Sequence, residues 1–406
     1  MAIPISLPAL LAPVAVMFGL SPAKRDSTES DLAHEGDVPH RESRQLIFAR
    51  RNPVKIWGID NAERVRRLFD KQEVAKNIAA DAAIWTNLDF AFDPQWMVHI
   101  TAKPDTVVTV HGVPVLAHLA RADVSFELAA GRCPSGLRQI EVDHAPQIYN
   151  HSLRKLETPF ISRLTAESVH EIERQSYFGA YKGVTDILTK YLWPEWALVL
   201  TRAAAKIGMT PNQVTAIGAV LCVAATILFW QGSLWLGMAA ALGFMVLDTV
   251  DGKLARCTIT SSWWGNVFDH GIDLIHPPFW WAAWGVGLSA WGLALSPAAF
   301  AWTMVAIVGG YVVQRVIEGI FILRNGKMHI HVWERVDTQF RLITARRNPN
   351  MVILFGATVV GRPDLGLIGV AAWTMLSCLF HCVRLVQAEL LRLRGAQLRS
   401  WLTASA

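Results

Sequence analysis

From Asp248 the chain reads D-T-V-D-G-K-L-A-R to Arg256, passes eight residues, and resumes at Gly265 as G-N-V-F-D-H-G-I-D, ending on Asp273. Apolar runs flank this stretch on both sides. A carboxylate at the centre of a spanning helix costs about 2.5–3.5 kcal/mol, so four left dry and unpaired would cost on the order of 10 kcal/mol. Mutual repulsion adds to that cost or forces protonation. Divalent cations remove both difficulties, and oxygen-only donors select Mg²⁺, Mn²⁺ or Ca²⁺ over zinc.

Helical spacing gathers these carboxylates. Asp248 and Asp251 are i, i+3 and Asp269 and Asp273 are i, i+4, so each pair shares one face of its own helix. Gly252 and Ala255 fall near the first pair and Gly265 near the second. Small residues there let two helices approach and leave room for a ligand. The pattern predicts two facing helices forming a two-metal cage from Asp248, Asp251, Asp269 and Asp273.

The spacing D-x2-D-G-x2-A-R-x8-G-x3-D-x3-D resembles the signature of the CDP-alcohol phosphotransferase family, and every fixed position matches. Upstream, Pro211-Asn212-Gln213-Val214-Thr215 is similar to the P-N-x-[LIV]-T start of that family's first membrane helix. The resemblance implies transfer of a substituted phosphate from a CDP-alcohol, such as CDP-diacylglycerol, to an acceptor alcohol with release of CMP. It implies two Mg²⁺ or Mn²⁺ ions on the four aspartates and Asp273 as general base. It also implies contacts to the CDP moiety from Asn212, Thr215, Gly252, Ala255, Arg256 and Gly265. A homodimer in the bilayer is expected on the same ground, and no nucleic-acid partner. Related inositol-phosphate enzymes bind the acceptor's phosphate near the place where this chain carries His329, His331, Arg335, Arg341, Arg346 and Arg347. By that resemblance the acceptor is a phosphorylated polyol, with Arg315, Arg346 and Arg347 as its contacts. The competing reading is that these arginines only set topology and bind anionic headgroups.

Composition divides the chain. Hydrophobic residues make up 52% and charged residues 17%, with the charges gathered in residues 23–190 and the apolar runs in 209–390. The expected order is a leader over 1–45, a cytosolic α/β domain over 46–150, a helical linker over 151–208, a six-helix membrane domain over 209–390, and a cytosolic tail over 391–406. Six spans are expected near 213–232, 234–255, 263–288, 296–323, 349–361 and 365–388, the fifth short enough to need its flanks or tilt. Basic residues collect at 324–347 and in the tail, which puts both termini and the aspartate motif on the cytoplasmic side of the cell membrane.

In the α/β region, strands are expected at Val54–Gly58, Ala82–Trp85, Met97–Ile100 and Thr106–Val110, with His111–Pro114 turning into another. Helices are expected at Ala62–Lys71 and Pro114–Ala122. The run from Ile84 to Trp96 has some similarity to sugar nucleotidyltransferases, but no Gly-rich loop is present to cradle a triphosphate. The domain therefore reads as degenerate and nucleotidyltransferase-like, with Asp89 and Asp93 as loop or cap residues. In the linker, Arg154, Lys155, Arg163, Glu167, Glu171 and Glu173 read as a solvated helical face. Residues 192–207 are amphipathic, with Trp193, Trp196, Leu198 and Leu200 opposing Arg202 and Lys206. They predict a helix lying in the headgroup layer. The 17 tryptophans point to lipid contact. A six-helix transporter or receptor holding a cation is the alternative function, although a cation path needs no fixed arginine beside its carboxylates.

Overall fold

The computed structural model describes residues 45–121, 125–145, 147–150 and 152–404. All but the last residue of the expected leader lie outside the described residues.

Six long helices form the C-terminal half: α5 (Pro211–Trp230), α6 (Leu234–Cys257), α7 (Trp263–Gly287), α8 (Pro297–Arg324), α10 (Arg347–Val359) and α11 (Pro363–Leu393), with the short α9 (Arg335–Arg341) before α10. Their starts are written locally. Thr210 and Gln213 close a capping box at α5, with Pro211 in the first turn, where its missing N–H costs nothing. Ser262 accepts from the Gly265 amide at 3.0 Å and caps α7. Four of the helices (α5, α6, α8 and α11) are long and apolar enough to cross a membrane, so this is a membrane protein. The other two fall where the sequence predicts spans, but α7 carries aspartates and prolines while α10 has 13 residues.

Pro277 and Pro278 lie inside α7. Each removes a backbone donor, which frees the carbonyls of Asp273 and Leu274. The Tyr311 hydroxyl donates to the Leu274 carbonyl at 3.4 Å. The packing of α5, α6 and α7 is aromatic: Phe229 lies against Trp280 and Trp284 with ring centroids 5.8 and 5.1 Å away. Both buried indoles are satisfied, Trp280 donating to the Cys222 carbonyl and Trp284 to that of Pro363, each at 3.2 Å. Trp230, Trp264 and Trp302 are exposed, as lipid contact requires, whereas Trp85, Trp96, Trp193, Trp280 and Trp284 are core residues.

The N-terminal region is α/β. A mixed sheet runs in the order β1-β2-β4-β3-β5, from β1 (Leu46–Ala49), β2 (Ala83–Asn87), β3 (Thr106–Val110), β4 (Val113–Leu119) and β5 (Arg138–Glu141). His111 and Gly112 both take positive φ and turn β3 tightly into β4. Helices α1 (Asn61–Lys71) and α2 (Pro94–Thr101) accompany the sheet. Two expectations fail here. Met97–Ile100 belongs to α2, because Asp93 caps that helix by accepting from the Gln95 amide at 2.8 Å. Pro114–Ala122 is mostly the strand β4, which gives Val115 and Leu116 to one core and Ala117 and Leu119 to another.

The linker is less helical than expected. Lys155–Glu157 and Ile161–Arg163 are strands, and α3 (Val169–Gly179) begins only at Val169. The amphipathic helix is α4 (Pro194–Lys206), packed on α6. Trp196 and Leu200 face outward, as an interfacial helix needs, but Trp193 and Leu198 are buried. The Trp193 indole donates to Thr249 Oγ1 at 3.1 Å and pins the linker to α6.

Gly287 lies against the Phe229 carbonyl and the backbone of Gly232, with no room for a Cβ. Gly287→Val is expected to cost roughly 1–3 kcal/mol by overpacking, read as a fall in detergent melting temperature. Gly309→Ala, which meets nothing within 4 Å, is expected to melt unchanged or slightly higher.

Candidate active site

Helices α6 and α7 bring the aspartates together at one end of the bundle. Ligand atoms of Asp248, Asp269 and Asp273 all lie within 4.8 Å of one another. Asp251 is held apart from that group. It is 3% exposed, accepts the Thr215 hydroxyl at 2.5 Å, and takes the amide of Gly252. Thr215 of the Pro-Asn-x-Val-Thr segment therefore touches the first aspartate pair across two helices. Gly265 sits beneath Asn212, where an added Cβ would come within 2.9 Å of Asn212 Oδ1. Gly252 faces the Arg256 guanidinium in the same way, at 3.1 Å.

One arginine closes the acidic group. Arg347 starts α10 and donates from Nη1 to Asp273 at 2.5 Å and from Nη2 to Asp248 at 2.8 Å. Its guanidinium also stacks 4.9 Å from the Phe244 ring. Oxygen-only donors on two helices, with three carboxylates in mutual reach, fit a hard divalent cation. Arg347 supplies the protein's own positive charge at the same place.

All of these groups line a single cavity of about 1100 Å³. It is also lined by a basic group. There Glu318 accepts Arg315 at 2.8 Å and Arg346 at 2.7 Å, and stands 3.3 Å from His331 Nε2. Glu318, His331 and His381 are grouped closely enough for a metal, but two guanidiniums already claim the carboxylate and oppose a cation. Buried donors on this wall lack partners among the described residues: Nε of Arg315 and Arg346, and Nη1 of Arg341. Burial, with Arg154 adding repulsion, pushes the His329 imidazole down to about 3, so it stands neutral beside these cations. Unsatisfied buried donors are costly, and an anion is the natural partner.

Residues 208–346 match the family model described as CDP-alcohol phosphatidyltransferase. This segment is a CDP-alcohol phosphatidyltransferase domain. Cholinephosphotransferase 1 of Xenopus laevis is 28% identical over 123 residues, covering 28% of this chain and 29% of that protein. A phosphatidylinositol phosphate synthase of Mycobacterium marinum is 35% identical over 94 residues, 21% of this chain and 40% of that protein. An archaetidylinositol phosphate synthase of Pyrococcus horikoshii is 26% identical over 175 residues, 42% of this chain and 82% of that protein. The chain thus spans less than half the length of the first two.

Every site residue expected from sequence lines the cavity of the phosphatidyltransferase domain: Asn212, Thr215, Asp248, Asp251, Gly252, Ala255, Arg256, Gly265, Asp269, Asp273, Arg315, Arg346 and Arg347. The grouping differs from expectation at two positions. Asp251 stands outside the close carboxylate group, and Arg347 joins the aspartates rather than the acceptor side. His270 and His276 bond backbone carbonyls of their own helix, at 2.9 and 2.7 Å. Arg335 lies over Trp401, away from the cavity.

The linker supplies cavity residues that the sequence reading did not assign to the site. Arg154, Lys182 and Asp186 enter from the linker. Arg154 sits at φ +53 in a turn, not on a helical face. Asp186 is buried and holds Thr189 at 2.8 Å and Asn348 at 3.0 Å, joining the linker to α10. Lys182 and Asp186 lie outside the fixed spacing from Asp248 and on no helical face that periodicity would mark.

Lys182 opens onto the cavity. Desolvation by the surrounding walls, with repulsion from Arg154 and Arg256, pushes its ammonium down to about 8. The group is charged below that pH and neutral above it, so anion binding through Lys182 weakens as the pH rises past 8. One unit above the pKa only about a tenth remains charged. Sulfate, whose own charge is constant here, is therefore expected to lose up to about tenfold in affinity between pH 7 and 9 by calorimetry, while Lys182→Arg shows no such fall.

Proposed function

We propose that this protein transfers a substituted phosphate, as in phosphatidyl transfer, from a CDP-alcohol to an acceptor alcohol that itself carries phosphate, releasing CMP. One observation carries the reading: a single cavity joins the aspartate group to a wall of Arg154, Lys182, Arg315, Arg341 and Arg346. A cation-transport function leaves that basic wall without a role. Among the relatives, those named for inositol phosphate suit the wall better than those named for choline, because a phosphorylated polyol brings the anion that the wall lacks.

The chemistry is a displacement at phosphorus. The acceptor hydroxyl forms a new bond to the phosphorus that bears the donor's alcohol, and the bond to the CMP oxygen breaks. Asp273, the more open of the two aspartates bonded to Arg347, takes the hydroxyl proton. A carboxylate with a reference pKa near 3.9 is a weak base, so positioning must supply much of the rate. Two divalent ions, Mg²⁺ or Mn²⁺, held by Asp248, Asp251, Asp269 and Asp273, would neutralise the pyrophosphate and the developing charge. Arg256 and the close approaches at Gly252, Ala255 and Gly265, with Asn212 and Thr215, hold the CDP moiety. Arg315 and Arg346, steadied by Glu318, hold the acceptor's phosphate. Arg347 balances the aspartates.

The membrane arrangement follows the same reading. α7 and α10 complete six spans, with both termini on the cytoplasmic face of the cell membrane. An outer apolar groove of about 380 Å³ between Trp196, Leu200, Leu221, Leu242, Val246 and Leu247 suits an acyl chain of the donor. The chain works as a homodimer through its membrane helices. The mixed sheet reads as a degenerate nucleotidyltransferase-like domain, whose sequence has no Gly-rich loop to cradle a triphosphate.

CMP release from CDP-diacylglycerol with Mg²⁺ or Mn²⁺ tests the proposal against a panel of acceptors. Inositol phosphate is expected to support turnover and unphosphorylated inositol is not. Asp273→Asn is expected to lower kcat by roughly 10²–10⁴-fold without unfolding the protein. Full activity in that variant would remove the base assignment. No release from any CDP-alcohol with any acceptor would remove the function.

A further inference from the structure

The loop 258–262 joins the two aspartate helices. It lies within the eight positions that the signature leaves unspecified between Arg256 and Gly265. One of those positions is built for something outside the phosphatidyltransferase domain. Ile259 is buried in the core of the α/β domain, in one cluster with Val65, Leu68, Phe69 and Trp96. To reach it the backbone takes φ +57, a conformation that β-branched residues rarely adopt. The same domain grips the neighbouring residue. Arg67 Nη1 donates to the Thr258 carbonyl at 3.0 Å, while its Nε is fixed on Glu63 at 2.8 Å.

The other bonds of the loop run back into the aspartate helices. The Thr260 amide donates to the Ala255 carbonyl at 2.9 Å and the Thr258 amide to that of Leu254 at 2.9 Å. Ser262 caps α7. Meanwhile α6 and α7 each pack mainly on α5 and touch one another little. The two helices therefore do not set their own spacing at the aspartate end. The shared helix α5, the Arg347 bridge between Asp248 and Asp273, and the loop set it, and the loop is held from outside.

We propose that the α/β domain is the positioning element of the metal site. By seating Ile259 in its core and bonding Thr258 through Arg67, it fixes the separation of Asp248 and Asp251 from Asp269 and Asp273. A metal site tolerates only about 0.5 Å of looseness in its ligands, and helix ends are where looseness enters. Ile259 and Arg67 are positioning residues. The inference rests on the reading of the aspartates as a metal site, and not on which alcohol is transferred.

Mn²⁺ binding to the full chain in detergent, read from the electron paramagnetic resonance signal of free Mn²⁺, tests it without turnover. Ile259→Ala and Arg67→Gln are each expected to weaken Mn²⁺ binding by about fivefold or more, and Ile259→Leu to restore it to within about twofold. The sign for Arg67→Gln is decisive. Arg67 lines the cavity, so losing its charge would by itself tighten cation binding, whereas a lost clamp weakens it. Protease resistance of the α/β domain reports folding, and Arg67→Gln decides the matter if Ile259→Ala does not fold. Folded variants that bind Mn²⁺ like the parent would overturn the inference, and so would tighter binding by Arg67→Gln. Mn²⁺ binding by the parent without turnover of any CDP-alcohol removes the proposed activity and leaves the positioning role standing. No Mn²⁺ binding by the parent overturns both.

Discussion

Three carboxylates within 4.8 Å of each other, on helices packed in a membrane protein, must be neutralised. Two like charges at 4 Å repel by about 4 kcal/mol at an effective dielectric near 20, and repulsions of that size compete with the net stability of a domain. Much of the architecture answers this constraint. Arg347 is delivered to Asp248 and Asp273 by the start of α10. Asp251 is turned aside onto Thr215 and the Gly252 amide. Asn212 and Gly265 meet closely beside the acidic group.

The same constraint explains the division of the cavity. Cations gather in the same space around Glu318, the anchor for Arg315 and Arg346. An aspartate group and a basic group that line one space leave it able to bind ligands of either charge. The basic group is assembled from separate pieces: Arg154 and Lys182 from the linker, Arg315 from α8, Arg341 and Arg346 from the connection before α10. The family match runs over 208–346, so Arg154 and Lys182 lie before it and Arg347 one residue beyond it.

This distribution decides what was legible in sequence. The meeting of Asp248, Asp269 and Asp273 was legible because they sit on two successive helices, where i, i+3 and i, i+4 spacing translates directly into a shared face. Arg315 with Glu318 was legible for the same reason. Arg347 was visible as a basic residue but not as the partner of Asp248, 99 positions away, because no periodicity links them. Arg154 and Lys182 were hidden by tertiary structure: one lies in a turn that composition reads as helix, the other in a linker. In the α/β domain, β4 was mistaken in part for helix because an apolar run of seven residues fits either period, and only the turn at His111-Gly112 and its sheet partners fix it as strand. Trp193 looked interfacial because amphipathicity shows which residues are apolar, not whether lipid or α6 covers them.

Locating Mn²⁺ by anomalous scattering in crystals of the full chain is the most direct test. The account predicts anomalous density within coordination distance of Asp248, Asp269 and Asp273, with Asp251 alongside and the Arg347 guanidinium moved off the carboxylates. Density at Glu318, His331 and His381 instead, or none anywhere with Arg347 still bridging Asp248 and Asp273 at saturating Mn²⁺, would contradict it.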